Sequence, residues 1–221
     1  MEKQILYDFA GAEKAEGLTV IIDIFRAATL ATFLVNQGIK RIIPVANVED
    51  ALAIKNKNKR YLLLGEEKGL KIFSFDYGNS PSEIKNINFT GKTAVHRTER
   101  GTNGIVLAKN ASEIIFGSFV AASALSDYIV IKNPDVVSIV AMDGPGSEDD
   151  IFAQYLLGLL ENKKIYNQKQ LRDLLKKHYA SERFLNPQKP EFPEEDFFLC
   201  TEIDRFNLFP ILKGKYLYSN G

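Results

Sequence analysis

Apolar residues in this chain fall into short runs separated by amphipathic stretches. The clearest run is residues 18–25, LTVIIDIF, whose β-branched residues predict a buried strand interrupted near its end by Asp23. Residues 27–38, AATLATFLVNQG, put Leu30, Phe33 and Leu34 on one helical face and end on Gly38, suited to the position just past a helix. The alternation then repeats. Residues 41–45, RIIPV, predict a strand with Pro44 at its end or on an edge, and Asn47 predicts a cap for the helix EDALAIKN, with Asp50 three residues on. YLLL at 61–64 predicts a third strand, residues 65–91 a long surface or active-site loop, and 93–95 a short strand. Asn103 and Gly104 stand before a small helix, IVLAKN. EIIF at 113–116 predicts a strand, and Ser118 a cap for the helix FVAASALSDYIV. DVVSIVAM at 135–142 predicts the last core strand, and Ser147 with Asp150 a capping box for the helix that buries Phe152, Tyr155, Leu156 and Leu159. Farther on, residues 170–185, QLRDLLKKHYASERFL, predict one more helix, with Leu171, Leu174, Leu175 and Tyr179 as its apolar side.

Strands alternating with helices predict an α/β fold: a three-layer α/β/α sandwich on a largely parallel or mixed sheet. The 221 residues are expected to form one domain, 1–221, with a possible meeting of two subdomains near 90–100. Composition is ordinary for a globular chain, with 45% hydrophobic and 25% charged residues, which excludes wholesale disorder. Lys plus Arg and Asp plus Glu are 28 each, a balance that argues against a nucleic-acid partner. A single cysteine, Cys200, excludes an intrachain disulfide framework and cysteine-rich metal sites. No apolar stretch approaches 18 residues and the N-terminus lacks a signal-peptide core, so a cytoplasmic protein without membrane contact is expected. Residues 161–190 carry eight Lys/Arg against three Asp/Glu, and residues 191–200 carry four acids and no base, an opposition suited to internal pairing.

Four polar clusters fall at element ends, where open α/β sheets collect ligands. Asp23 and Arg26 lie at a strand-to-helix junction: the acid suits a hard cation or a nucleophilic water, the arginine a phosphate or carboxylate. The alternative is an acid that caps the helix and pairs with Arg26. Glu66 and Glu67, followed by Asp76, Gly78, Asn79, Ser80 and Pro81, offer oxygen ligands and amide donors, or only a solvated turn. The run HRTERGTNG at 96–104, with Arg97, Thr98, Arg100, Thr102 and Asn103, has the composition of an anion cradle but matches neither a P-loop nor a dinucleotide fingerprint. His96 reads equally as a hydrogen-bonded core residue. After Asp143, the acids Glu148, Asp149 and Asp150 share one helical turn. The helix dipole accounts for one or two of them; a third calls for a cation or a donor.

The segments DIFRAAT at 23–29, IPVANVEDALAIK within 42–55, LLLGEEKGLKIFSFDYGNSPSEI at 62–84, GSFVAASA at 117–124 and the closing DFFLCTEIDRFNLFPIL together resemble the 2-phosphosulfolactate phosphatase family. The likeness covers most of residues 18–217 in the same motif order. It implies a Mg²⁺-dependent phosphomonoesterase acting on the phosphate ester of a small acid bearing sulfonate and carboxylate groups. By that resemblance Asp23, Arg26, Glu66, Asp76, Glu148 and Asp149 are the catalytic candidates. Asn79, Ser80, Arg97, Thr98, Arg100, Thr102, Asn103 and Ser118 would bind substrate, and Asp23, Asp76, Glu148 and Asp150 would hold Mg²⁺. The chain departs from the family's Thr-rich TTTNGT stretch, and SIVAMDG and DDIFAQYLLG lack the cysteines found there in many members. The expected partner is a small anionic phosphate ester, and a homo-oligomer is left open. The competing expectation is a non-catalytic domain that binds a small anion or a protein. Two geometric expectations follow: segments 23–26, 66–67, 76–80, 96–104 and 143–150 meet in one cleft at the C-terminal edge of the sheet, and Arg26 is under-paired until an oxyanion arrives, so its loss leaves stability nearly untouched.

Overall fold

The computed structural model describes residues 1–163 and 166–221. It opens with β1 (Glu2–Tyr7) and α1 (Asp8–Lys14), two elements that the apolar pattern does not mark. β2 (Gly17–Ile22) is the predicted buried strand, and it stops just before Asp23. α2 (Ala27–Asn36) follows, with Gly38 at φ +78° beyond its end. β3 (Arg41–Val45) leads to α3 (Val48–Lys57), whose cap Asn47 accepts the Asp50 N–H at 2.7 Å. β4 (Leu62–Glu67) runs past the predicted 61–64 and turns through Lys68 and Gly69 into β5 (Leu70–Lys71). The expected loop at 65–91 therefore begins as a hairpin, and it also holds α4 (Pro81–Ile84).

β6 (Thr93–Arg97) precedes α5 (Gly101–Leu107), so Asn103 and Gly104 lie inside the helix they were expected to precede. β7 (Ala111–Gly117) is followed by a 3₁₀ turn at Phe119–Ala121 and α6 (Ala122–Lys132). Ser118 does not cap this helix; its hydroxyl shares a buried hydrogen bond with Thr32 at 3.3 Å. β8 (Val136–Ala141) leads to α7 (Glu148–Leu160), where the Ser147 hydroxyl accepts the Asp150 N–H as predicted. The predicted helix at 170–185 is broken. α8 (Gln168–Leu175) ends before His178, whose Nδ1 accepts the Ala180 N–H, and a 3₁₀ turn at Tyr179–Ser181 leads to α9 (Glu182–Leu185). α10 (Glu194–Cys200) and the hairpin of β9 (Pro210–Lys213) and β10 (Tyr216–Ser219) close the chain. Gly214 has φ +61° and Lys215 does not share the positive φ, the pattern of a two-residue II′ hairpin turn.

The strands of the described residues form one sheet in the order β1-β8-β2-β7-β9-β10-β3-β6-β4-β5. β1, β8, β2 and β7 are mutually parallel, as are β3, β6 and β4. The β9–β10 hairpin joins the two groups through three antiparallel pairings, so the groups run in opposite directions. In a flat sheet their C-terminal ends would lie on opposite edges. Five inter-strand steps separate β2 from β6, and a twist of about 20–25° per step rotates one group by about 100–125° relative to the other. That rotation turns opposed strands into converging ones. The expectation of a single C-terminal edge is corrected accordingly: the cleft lies where the ends of two strand groups converge.

The sheet is covered on both faces, giving the three-layer α/β/α arrangement. Leu18, Val20 and Ile22 of β2 pack with Phe119, Leu125, Phe152 and Leu156 on one side. Ile21 of the same strand packs with Leu30, Leu34 and Ile105 on the other. The period of two along β2 is thus satisfied by α6 and α7 on one face and by α2 and α5 on the opposite one. A smaller cluster of Ile43, Val45, Leu63 and Val95 lies beneath α3 through Ala51. Among the described residues, the acids at 191–200 make no ion pair with the basic stretch before them. Glu195 meets Lys85, and Asp196 meets Arg26.

Candidate active site

A cavity of about 490 Å³ opens where the strand ends converge. Asp23 and Arg26 follow β2, Glu66 ends β4, Glu99 and Arg100 follow β6, and Asp143 and Glu148 follow β8. Asn79 enters from the turn before α4, and Lys68 from the β4–β5 turn. Tyr179 and Arg183 close the rim from the segment after α8. All five segments expected to converge contribute at least one lining residue.

Hydrogen bonding separates the acids that build the cavity from those that face it. Asp23 accepts the Ala27 N–H on Oδ1 (3.1 Å) and the Gly101 N–H on Oδ2 (2.9 Å), tying the starts of α2 and α5 together. It pairs with backbone amides and not with Arg26. Gly101 is small for a reason: a Cβ there would fall 2.6 Å from the Phe116 ring and 2.7 Å from the Asp23 carboxylate. Glu66 spans the Gly69 and Glu99 N–H groups, each at 2.7 Å. Asp149 holds the Ile24 N–H at 2.7 Å and the Asp143 N–H at 3.1 Å, joining the ends of β2 and β8. Glu148 is different. It is 2% exposed, its Oε2 has no hydrogen-bond partner, and the imidazole Nδ1 of His178, which already accepts the Ala180 N–H, lies 3.7 Å from it.

Crowding of these acids raises their proton affinity. Burial, with the negative charge of Asp143 and Glu66, pushes Asp23 up to about 6 against the opposing amides. Burial and Asp143 push Glu148 up to about 7. Asp149 is also raised well above the ordinary carboxylate range, first by burial and then by Glu148 and Asp23.

Arg26 is 4% exposed and engaged at both terminal nitrogens. Its Nη1 donates to Asp196 Oδ2 and its Nη2 to the Gly69 carbonyl, both at 2.8 Å, and its guanidinium lies near the rings of Phe184 and Phe192. The under-paired arginine expected from sequence is therefore replaced by a buried ion pair. Asp196 also accepts the Ser80 hydroxyl and the Ser82 N–H. This hub was missed because Asp196 follows Glu194 and Glu195 directly at the edge of FFLC and reads as one more acid of a first helical turn.

His96 is fully buried and burial holds it down at about 3, so it is neutral. Its Nε2 lies 3.1 Å from Asn79 Oδ1, while Nδ1 is enclosed without a partner. Placing the proton on Nε2 avoids an orphaned buried donor, and the Asn79 carbonyl then accepts it. The Asn79 amide NH₂ is left as a donor at the cavity.

Several candidates stand elsewhere. Asp76 accepts the Leu63 N–H at 2.8 Å and pairs with Lys55, and Asp150 accepts the Gly146 N–H and the Tyr7 hydroxyl. Neither lines the cavity. Arg97 donates to the Glu66 carbonyl and pairs with Glu67. Thr98 and Thr102 exchange hydrogen bonds with each other, and Asn103 donates to the carbonyls of Thr98 and Glu99. These three brace the start of α5, and the Gly101 N–H of the expected anion cradle is already held by Asp23. Ser80 serves Asp196, and Ser118 serves Thr32. Among cavity residues, Lys68 and Arg183 had been given no role and Asp143 only a place at the head of the acidic group, while Tyr179, expected on the apolar side of a helix, is exposed at the cavity rim. Cys200 is buried, and burial raises its thiol well above the ordinary range.

The sequence pattern of 2-phosphosulpholactate phosphatase matches residues 6–215. The chain belongs to that family. Membership in the 2-phosphosulpholactate phosphatase family makes it a phosphatase-type hydrolase of small anionic phosphate esters. A relative from Bacillus subtilis (strain 168), named "probable 2-phosphosulfolactate phosphatase", is 30% identical over 187 residues, covering 84% of this chain and 82% of its own. One of the same name from Caldanaerobacter subterraneus subsp. tengcongensis is 32% identical over 214 residues, 88% and 87% of the two chains. A third, from Thermoplasma volcanium, is 36% identical over 156 residues, 68% and 71%. Among the described residues, no helix is long and apolar enough to cross a membrane.

Proposed function

We propose that this phosphatase hydrolyses 2-phosphosulfolactate to 3-sulfolactate and phosphate with Mg²⁺ bound. The observation that carries the reading is the charge layout of the cavity: Asp23, Asp143 and Glu148 crowd one region, and Arg26, Lys68, Arg100 and Arg183 share its lining. Such repulsion among acids is relieved by a hard cation with oxygen ligands. Among the described residues, no group of three or more side chains is gathered closely enough to hold a metal alone. Mg²⁺ typically takes one or two carboxylates and completes its shell with substrate phosphate; Asp143, and the lone pairs that the Asp23 oxygens do not give to amides, would supply them. Bound there, the ion supplies polarisation of the phosphoryl oxygens.

The chain's own groups supply the rest. The Asn79 amide, fixed by His96, donates to a phosphoryl oxygen. Both Asp23 oxygens already serve backbone amides, which favours attack by water over a phospho-aspartate. Water adds at phosphorus, the ester P–O bond breaks, and Glu148 passes the proton on Oε2 to the departing alkoxide. A carboxyl titrating at about 7 is matched to that task near neutral pH. The proton lost by water restores Glu148.

The test is release of phosphate from 2-phosphosulfolactate by purified protein, with Mg²⁺ and after EDTA. Metal-dependent turnover is expected. Binding of phosphate with no turnover of any small ester would return the chain to the anion-binding class.

A further inference from the structure

The cavity's four cations are not equivalent. Asp196 answers Arg26, while Asp8 and Asp143 answer Arg100. Arg183 and Lys68 have no carboxylate within salt-bridge distance among the described residues. Arg183 comes from α9. Its Nη2 donates to the Phe25 carbonyl at 3.0 Å, its Nε is enclosed without a partner, and its guanidinium lies 5.0 and 5.2 Å from the ring centres of Phe184 and Phe192. That setting holds the planar fork in place without a carboxylate in contact, although its charge already eases the proton affinity of Glu148 across the cavity. Lys68 sits at φ +54° at the tip of the β4–β5 turn. The two positions adjoin: a Cβ built on Gly69 would lie 2.8 Å from the Phe192 ring and 3.9 Å from Arg183 Nη1.

We propose that Arg183 and Lys68 form the subsite for the substrate's non-phosphoryl acid group, a carboxylate or sulfonate oxyanion, and so set which phosphate esters are hydrolysed. The proposal rests on the phosphatase reading. A phosphoryl group needs counter-charge and donors near the reacting atoms, which the acid region and Asn79 border. A second acid group on the same small molecule needs its own cations, and only these two are unspent. A guanidinium fixed between aromatic rings presents a planar pair of donors to an oxyanion, and the lysine adds a mobile point charge.

The experiment uses four esters that differ only in added acid groups: 2-phosphosulfolactate, 2-phospholactate, the phosphate of 2-hydroxyethanesulfonate, and ethyl phosphate. For Arg183→Met, the ratio of kcat/KM on 2-phosphosulfolactate to that on ethyl phosphate is expected to fall about 10- to 100-fold. Lys68→Asn, with a residue that tolerates the left-handed backbone, should lower the same ratio about 3- to 10-fold. The two single-acid esters then report whether carboxylate or sulfonate is read. Binding of 3-sulfolactate by calorimetry needs no turnover and should weaken about 10- to 100-fold in Arg183→Met. An equal loss on all four esters, with a lowered melting temperature, would make Arg183 structural and overturn the proposal. If Arg183→Met does not fold, Lys68→Asn decides, and an unchanged ester ratio there overturns it. Arginine-dependent 3-sulfolactate binding without turnover of any ester would keep the subsite and remove the hydrolase reading.

Discussion

Removing Arg26 should first be a stability event. The pair with Asp196 is buried on both sides, at 4% and 0% side-chain exposure, with a 2.8 Å contact. Arg26→Ala leaves the Asp196 carboxylate in the interior with only the Ser80 hydroxyl and the Ser82 N–H. It also frees the Gly69 carbonyl and strips a cation from between two aromatic rings. Breaking a buried pair by deleting one partner costs about 3–5 kcal/mol. For a chain of this size each kcal/mol lowers Tm by about 2–4 °C, so a fall of about 6–20 °C is expected. Asp196→Ala should match it, because the charge left behind is then Arg26. Replacing both by apolar residues, Arg26→Met with Asp196→Leu, should recover much of the loss, since neither charge remains to be desolvated. Thermal melts and urea titrations of all four proteins provide the measurement, with kcat/KM taken on the same preparations. An Arg26→Ala melting point within a degree of wild type would refute the buried-pair reasoning and restore the arginine to a purely catalytic place.

Acid titration gives a second expectation, with an unusual sign. Asp23 and Glu148 rise from 3.8 to about 6 and from 4.5 to about 7 on folding, so between pH 4 and 7 the folded chain binds more protons than the unfolded one. Stability without metal should therefore fall as pH rises from 5 to 8, and Glu148→Gln should flatten that slope; a Tm that rises over this range would refute the crowding. Glu148→Gln should also lower kcat by about 10²–10⁴-fold if Glu148 handles the proton. His96→Leu should lower kcat/KM by about 10-fold in the wild type, but have no further effect once Asn79 is alanine. An equal loss in the Asn79→Ala background would show that His96 does not act through Asn79.

The elements read correctly from sequence are those whose signal is local. β2 and β8 are continuous apolar runs, and α3 and α7 begin at Asn47 and Ser147, whose side chains take the N–H three residues on. The unmarked elements depend on partners far along the chain. β1 reads as EKQILY, without a strong apolar run, and is a strand because it lies along β8, more than 130 residues away. β9 and β10 are inserted between β7 and β3, and that insertion reverses half the sheet. No short-range pattern encodes it. The helix expected at 170–185 fails at His178, where a side chain competes for the Ala180 N–H that would have continued the ladder.

The same division between local and distant runs through the site. Sequence shows where acids gather, because each cluster stands at the end of a strand. It does not show how each carboxylate spends its oxygens. Asp23, Glu66 and Asp149 all sit in the marked clusters, and each gives one oxygen to an amide of its own segment (Ala27, Gly69, Asp143) and the other to an amide that another strand delivers (Gly101, Glu99, Ile24). Asp23 thereby joins the two oppositely directed strand groups, while Glu66 and Asp149 each join strand ends within one group. Asp76 and Asp150 occur in equally suggestive motifs but spend their oxygens outside the cavity, on Leu63 and Lys55 and on Gly146 and Tyr7. Glu148 is set apart because its Oε2 has no partner, and an unspent oxygen in a buried, crowded position is free to hold and release a proton. The arginines follow the same logic. Arg26 and Arg100 have met their carboxylates, while Arg183, in a segment the motifs never marked, has no carboxylate within salt-bridge distance among the described residues.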